Sequence, residues 1–405
     1  MTDSRTLFSH RPFALFWAAR VLTASGFQIQ SVAVAWQVYE LTASALDLGL
    51  VGLVQFLPRL VLLPLAGDLA DRLDRRRLVA GSQAVQALGM AILAGLTWTG
   101  TISRESIFVL LALMGAARTF EMPTSQALLP ALVPETALAR AVAMGASAMQ
   151  AATIAAPALA GVLYVLGAGT VHGLAAVAFV LATGLTTQIR PLRPQPALTG
   201  TLSGWARFRE GLGFVRRHRP VLGAISLDMM AVLLGGATAL LPIVAAEVLH
   251  TGPWGLGLLR SAPAVGALGM SLWLARHPLG RRVGHRMFQA VAIFGLATIG
   301  FGLSHSLWLS AGLLVILGAA DMISLVFRQA HIQLETPDAM RGRVSAVNAL
   351  FIGASNQLGE FESGVTAAWF GLVPAIVLGG VGTLLVAALW WRWFPELGRV
   401  DRLGA

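Results

Sequence analysis

The chain has 405 residues, of which 56% are apolar and only 12% are charged. This composition excludes a soluble globular protein, whose apolar fraction is lower, and predicts a polytopic membrane protein. The formal net charge is +10, which we attribute to a basic membrane face that meets anionic lipid rather than to nucleic-acid binding. No cysteine is present, so the chain forms neither disulfides nor thiolate metal sites.

Apolar segments long enough to cross the membrane follow one another along the whole chain. A helix needs roughly 20 apolar residues to cross a hydrocarbon core about 30 Å thick, and these segments lack the alternation typical of transmembrane strands. The predicted fold class is therefore an all-α polytopic membrane protein with twelve transmembrane helices in two six-helix bundles. The predicted spans are residues 13–39, 45–66, 77–99, 105–127, 138–164, 169–189, 220–246, 254–276, 287–304, 307–332, 344–370 and 373–394.

The basic residues predict the orientation of these spans. All 29 are arginines, and outside the spans only Arg104 falls on the side opposite to the others. The positive-inside rule therefore places both termini in the cytoplasm. The first span is too long for a signal-peptide core, so we interpret it as an uncleaved helix. We expect a monomer in the bacterial plasma (inner) membrane, with the lipid bilayer and a small-molecule substrate as its partners.

A long polar connection divides the chain. We predict an N-terminal six-helix bundle over residues 1–189, a cytoplasmic linker over 190–219, and a C-terminal six-helix bundle with a short cytoplasmic tail over 220–405. The later part of the linker, from Leu202 to His218, carries apolar residues at spacings of three and four. This spacing predicts an amphipathic helix on the membrane surface.

The two halves repeat each other weakly in sequence. Leu73-Asp74-Arg75-Arg76 is echoed by Leu279-Gly280-Arg281-Arg282, and Gln83-Ala84-Val85 by Gln289-Ala290-Val291. Two similar six-helix units are what a carrier needs if its bundles rock about a site near the membrane midplane.

Several ionisable residues lie inside the predicted spans, where a charge costs a few kcal/mol on insertion scales. Arg20 and Asp228 occupy comparable depths in the first helix of each half, roughly 10–13 Å from the cytoplasmic end. Mutual neutralisation that ties helices together is an open alternative to a functional role for any of these charges. They are Arg20, Arg59, Arg118, Glu121, Asp228, Arg260, Asp321, Arg328, Glu360 and Glu362.

Polar residues form stripes at helical spacing on spans one, ten and eleven, which predicts that these spans face a water-filled cavity or another polar helix. The candidate cavity residues are Arg20, Phe27, Gln30, Arg328, Asn348, Ser355 and Asn356.

Proton coupling is the chemistry that these stripes favour, because a carboxyl group in a low-dielectric cavity can bind a proton near neutral pH. Asp228 and Asp321 are the first candidates, followed by Glu360 and Glu362. A permanent salt bridge with Arg20 or Arg328 is the alternative for the two aspartates. Glu121 lies toward the cytoplasmic end of span four and is expected to meet a loop rather than the cavity.

A dense charged turn, Gly67 to Leu78, separates spans two and three. It resembles the Gly-x-Leu-Ala-Asp-Arg-x-Gly-Arg-Arg-x-Leu signature of the major facilitator superfamily, with Asp74 in place of the usual glycine. The segments Val32–Tyr39, Gln126–Pro130 and Arg341–Val344 look like the enterobactin exporter branch of that superfamily, whose relatives include macrolide effluxers.

This resemblance implies roles for the charged turn. In the superfamily the turn acts as a conformational latch, which here would involve Gly67, Asp71, Arg72, Arg75 and Glu121. The branch also implies export by antiport, although the antiporter motif on span five is only partly kept.

The sequence thus predicts a proton-coupled secondary exporter of an amphiphilic small molecule, a siderophore or a drug, that works by alternating access. Its energy source is the proton gradient, with no cofactor or metal. The intramembrane arginines favour a substrate with anionic or phenolic groups. An importer or a lipid-handling carrier is the alternative of the same fold. A membrane enzyme or a transport-dead sensor is disfavoured, because no nucleophile–base pair, metal cluster, P-loop or signalling domain is evident.

Overall fold

The structure is a computed structural model that describes residues 5–190, 204–277 and 282–401. Within these ranges the chain forms helices and no strand, which confirms the all-α fold class. Twelve long helices, α1 to α12, follow the predicted spans in order. They are Arg11–Thr42, Ala45–Arg72, Arg75–Trp98, Arg104–Leu128, Glu135–Leu163, Ala168–Thr187, Arg219–Val248, Gly252–Arg276, Val283–Leu303, Leu307–Glu335, Asp338–Phe370 and Leu372–Trp393. Of these, α7 is irregular and ends in a 3₁₀ turn, a short α-helix and a π turn.

Ten of the twelve helices are long and apolar enough to cross a membrane, within the residues described. The other two, α1 and α11, are long enough at 32 and 33 residues but carry more polar side chains. These are two of the helices on which the sequence predicted polar stripes. Polar faces of this kind must be covered by protein or water rather than by lipid.

Predicted and observed helix ends differ most at charged segments. Helix α2 continues to Arg72, where the predicted span ended at 66, and α11 begins at Asp338, where the predicted span began at 344. Hydropathy marks only the part of a helix inside the hydrocarbon core, whereas backbone hydrogen bonding continues into the aqueous boundary.

The chain divides into two compact units, Met1–Thr42 with Val54–Gly204 and Ala43–Leu53 with Trp205–Ala405. In the first unit α1 packs on α5 and α6, and α3 packs on α4 and α6. In the second unit α7 packs on α11 and α12, and α9 packs on α10 and α12. Each of these four pairings thus has its counterpart six helices later, as the weak sequence repeat suggested.

Glycine allows close helix crossing in the second unit. Gly318 of α10 lies against the backbone of Pro263 in α8, so a Cβ added at position 318 would come within 2.6 Å of the Pro263 Cα. Gly312 lies earlier on the same helix and has no atom within 4 Å of the position that a Cβ would take. The α8–α10 contact therefore depends on Gly318 and not on Gly312.

We expect Gly318→Ala to destabilise the protein by about 1–3 kcal/mol, because the new methyl group must push two helix backbones apart. Gly312→Ala on the same helix should be neutral or stabilising by roughly 0.5–1 kcal/mol, because alanine favours the helix. Thermal unfolding of the detergent-solubilised variants measures both effects. Equal melting temperatures would contradict the close crossing.

Candidate functional site

In the first unit, polar side chains of α1, α3 and α4 meet inside the bundle. Glu121 of α4 is buried, and its two carboxylate oxygens accept hydrogen bonds from Gln83 Nε2 at 3.2 Å and Gln86 Nε2 at 2.6 Å. Gln83 Nε2 also donates to Thr23 Oγ1 of α1 at 3.0 Å, and Gln83 Oε1 accepts from Thr186 of α6 at 2.9 Å. Neutral amides therefore hold this carboxylate in place without neutralising it.

Two arginines lie at the same place. The guanidinium carbon of Arg118, one turn before Glu121 on α4, lies 3.1 Å from the centre of the Phe27 ring of α1, a cation–π contact. Arg20, Arg118 and Glu121 line one small cavity of about 30 Å³, which is room for roughly two water molecules. We call Arg20, Arg118 and Glu121 the arginine cluster. Two guanidinium groups and one carboxylate leave it with a net positive charge.

The position of Glu121 corrects the expectation that it would meet the loop rather than a cavity. Its partners are the two glutamines of α3, and its carboxylate lines the cavity with Arg20. Its position along the sequence placed Glu121 near the cytoplasmic end of α4. The residue lies on the face of α4 that packs on α3, and its side chain therefore points into the bundle. Gln83 and Gln86 were not among the predicted site residues. A sequence signal for them does exist. Gln83 and Gln86 lie three residues apart on an apolar helix, and Arg118 and Glu121 lie three residues apart on the next helix, so each pair shares one helical face.

In the second unit, Asp228 of α7 forms an ion pair with Arg328 of α10. Both residues are buried, with 7% and 3% of their surface exposed. The sequence had left open whether Asp228 pairs with an arginine or serves as a free proton acceptor. The structure places it against Arg328. A buried pair of this kind is costly to break, because either partner alone is an uncompensated charge.

Asp321 lies on α10 seven residues before Arg328 and shares a cavity with Asp228 and Ser324. The cavity has a free volume of about 10 Å³, close to the minimum that a single water molecule needs. In the part of the chain that the structure describes, the Asp321 carboxyl makes no hydrogen bond or ion pair. The two aspartates therefore differ in kind, since one is neutralised by an arginine and the other is not.

The other two acids that the sequence predicted inside the spans of the second half lie on α11. Glu360 is close enough to Arg260 of α8 for their charges to attract, and Glu362 Oε1 accepts a hydrogen bond from Thr366 at 2.7 Å. Neither residue lines the cavity that contains Asp321.

The other predicted cavity residues are spread over the two units. Asn348 and Ser355 of α11 are buried, and Asn356 is exposed. Among the residues that the structure describes, none of these three lines the Asp321 cavity. In the first unit, Gln30 is buried, and its Oε1 has no hydrogen-bond partner within the described ranges.

The charged turn between α2 and α3 has a local structural role. The Asp74 carboxylate accepts hydrogen bonds from the backbone N–H groups of Arg76 and Arg77 at 2.9 and 3.3 Å, which makes Asp74 the N-cap of α3. Arg75 Nη1 donates to the carbonyl of Ala127 at 3.0 Å, near the end of α4. Arg76 donates to the carbonyl of Ile189 at 3.1 Å, just after α6. These arginines therefore bind carbonyl groups where helices end, as helix dipoles favour.

The structure describes the side chains of only two of the five residues in the latch that the resemblance predicts, Arg75 and Glu121. Arg75 of α3 donates to the carbonyl of Ala127, six residues beyond Glu121 on α4, whereas the Glu121 carboxylate accepts hydrogen bonds from Gln83 and Gln86. The side chains of Gly67, Asp71 and Arg72 lie outside the described residues, as does the second-half counterpart Leu279-Gly280-Arg281. The latch role of this turn stays a prediction.

Comparison with known proteins gives a consistent result. The model of a family described as transmembrane secretion effector, within the major facilitator superfamily, matches residues 3–401. The staphyloferrin A transporter of Staphylococcus aureus is 23% identical over 93% of this chain and 94% of its own length. An enterobactin exporter of Citrobacter koseri is 26% identical over 97% of this chain and 94% of its own. The crystal structure of a nucleoside transporter covers 95% of this chain and all of its own with a TM-score of 0.77 at 10% identity, which shows a shared fold.

We expect Asp228→Asn to destabilise the protein by about 3–5 kcal/mol, because it leaves the Arg328 guanidinium buried without its counter-charge. The double variant Asp228→Asn with Arg328→Gln should lose less than the sum of the two single variants. Thermal unfolding in detergent measures this double-mutant cycle. Additive losses would show that the two side chains do not stabilise each other.

Proposed function

The chain belongs to the transmembrane secretion effector family of the major facilitator superfamily, and from this membership we propose that it exports an anionic, amphiphilic small molecule in exchange for protons. The family and the relatives are transporters, so the chain is a multi-pass membrane carrier of small molecules and not an enzyme. The charge of its cargo, the direction of transport and the coupling to protons are what we propose. The observation that carries it is the net positive arginine cluster that lines a cavity inside the first unit.

The arginine cluster suits an anionic group. Arg118 is held in position by its stacking on Phe27, and Arg20 lines the same cavity, while Glu121 is the one acid among the described residues that line it. Arg59 lies near enough to Arg118 to add to the positive potential. A carboxylate, catecholate or similar group would offset this excess charge in a medium where charge interactions are strong. Guanidinium groups also bind such oxygens in a bidentate manner.

The proteins named in the comparisons favour the same class of cargo. Two relatives align with this chain over nearly their full length, and their names refer to staphyloferrin A and to enterobactin. We therefore propose a siderophore-like molecule as the cargo, with a drug of similar amphiphilic character as the second candidate. The enterobactin relatives are named exporters, which supports outward transport.

Asp321 is our candidate for the coupling residue. An ionised carboxylate without a partner is costly to hold in a low-dielectric interior, so its carboxyl group is suited to bind a proton in one conformation and release it in another. Asp228 lies in the same cavity but is held by Arg328. We propose that this pair senses the charge on Asp321, and that Glu360 and Glu362 are secondary proton sites.

The remaining predictions complete the proposed cycle. Both termini lie in the cytoplasm of a bacterial cell, and the proton gradient across the plasma membrane supplies the energy without a cofactor. The charged turn from Gly67 to Leu78 sets the balance between conformations, and Gln30, Asn348, Ser355 and Asn356 are candidates for polar contacts to the cargo.

We expect Asp321→Asn to abolish proton-driven transport, because an amide cannot bind and release the coupled proton. Enterobactin uptake into inverted membrane vesicles, with and without an imposed proton gradient, measures the effect. Ser324→Ala, in the same cavity and on the same helix, is the matched control and should keep the response to the gradient. A wild-type protein indifferent to the gradient would overturn the coupling. Accumulation only in right-side-out vesicles would favour the alternative, an importer.

We expect Arg118→Gln and Arg20→Gln each to raise the KM for enterobactin at least about tenfold, because each removes a charge-assisted contact that is worth roughly 1.5–3 kcal/mol. Transport rates as a function of enterobactin concentration give the KM. Arg104→Gln removes the same charge from the exposed start of α4 and should leave the KM unchanged. If all three variants behave alike, the arginine cluster is structural and does not bind the cargo.

A further inference from the structure

The linker contains a helix, Gly204–Arg217, that packs firmly on the second unit along one side. Val215 of this helix is buried with Val344 and Val347 of α11 in one apolar cluster. Gly211 lies so close to α11 that a Cβ there would come within 2.7 Å of the Arg343 carbonyl oxygen. An ion pair between Glu210 and Arg343 at 2.6 Å adds to this contact. The helix is therefore a fixed part of the second unit.

A groove of about 460 Å³ runs along the linker helix beside this contact. Arg209, Gly213 and Arg217 follow one another at spacings of four and share one helical face. Gly213 has no atom within 4 Å of the position that a Cβ would take, so the groove is open in its middle. Phe214 and Met340 contribute an apolar part to its lining.

The charges along the groove do not cancel. Among the described residues that line it, the one acid is Glu210, which forms an ion pair with Arg343, and the neighbouring Glu335 lies 3.6 Å from His218. Arg209 and Arg217 are exposed, and within the described ranges neither forms an ion pair. Two guanidinium groups, about two helical turns apart, thus face an open groove with a positive potential.

We infer that this groove binds the headgroup of an anionic phospholipid, with Arg209 and Arg217 on its phosphate oxygens. Arginine forms bidentate hydrogen bonds to phosphate, and basic residues beside membrane helices attract anionic headgroups. The apolar lining would accept the glycerol and upper acyl region, which a free phosphate ion lacks. Trp205, 55% exposed and stacked on Phe208, has the character of residues that lie at the membrane interface.

This site does not depend on the proposed transport reaction. It lies on the linker helix rather than among the charges inside the helical bundles, so it predicts lipid binding whether or not the cargo is an anion. Its test therefore needs no transport substrate.

The experiment is native mass spectrometry of the full-length, detergent-solubilised protein titrated with phosphatidylglycerol or with phosphatidylcholine. We expect phosphatidylglycerol to bind more tightly than phosphatidylcholine, and the double variant Arg209→Gln with Arg217→Gln to weaken the first phosphatidylglycerol about tenfold. Arg216→Gln is the matched control, because Arg216 is exposed on the same helix but does not line the groove. It should change the affinity less than about twofold.

Three results would overturn the inference. Equal weakening by Arg216→Gln and by the double variant would show that charge on the helix acts diffusely. Equal affinity for both lipids would show that apolar contact alone is responsible. Displacement of phosphatidylglycerol by millimolar inorganic phosphate would show that the groove binds a free anion instead of a lipid.

Discussion

The cost of a charge in a low-dielectric interior is the constraint on which this structure depends. A charged side chain inside a membrane bundle must find a counter-charge, a set of hydrogen bonds or a water-filled cavity. The described residues show all three solutions. Asp228 has a counter-charge in Arg328, Glu121 has the amides of Gln83 and Gln86, and Asp321 has only a small cavity. These surroundings restrain protonation to different degrees. A carboxylate paired with an arginine is held in its charged form, whereas a carboxyl group that faces only a cavity is able to gain or lose a proton.

Helix identity and helix order follow from hydropathy, and the sequence predicted them well. Every predicted span has its helix, because the thickness of the hydrocarbon core limits where long apolar runs can lie. The helix ends were less predictable, as α2 and α11 show, because charged residues can continue a helix into water. Asp74 is an intermediate case. Its departure from the loop signature was visible, yet its function as an N-cap depends on the backbone of Arg76 and Arg77.

The partners of the buried charges could not be predicted in the same way. Position along a helix gives depth, but the partner of a side chain depends on which neighbouring helix its face meets. From depth alone, Arg20 and Arg328 were equally suitable as the ion-pair partner of Asp228. The partner is Arg328, because α10 packs against α7. Depth also placed Glu121 near the loop, whereas its face on α3 turned it into the cavity with Arg20. These outcomes are set by tertiary packing rather than by local sequence.

The two units share four helix pairings but differ in the sign of the charge that the sequence predicted inside their spans. The first contains Arg20, Arg59 and Arg118 with Glu121, whereas the second contains Arg260 and Arg328 with Asp228, Asp321, Glu360 and Glu362. Both units need apolar contacts between their helices, because these contacts hold each bundle together. Polar residues inside the bundles are under no such common requirement and can diverge. The exchange that we propose needs an affinity for the anionic cargo and an affinity for protons within one chain, and the positive first unit and the acidic second unit are our candidates for these two roles.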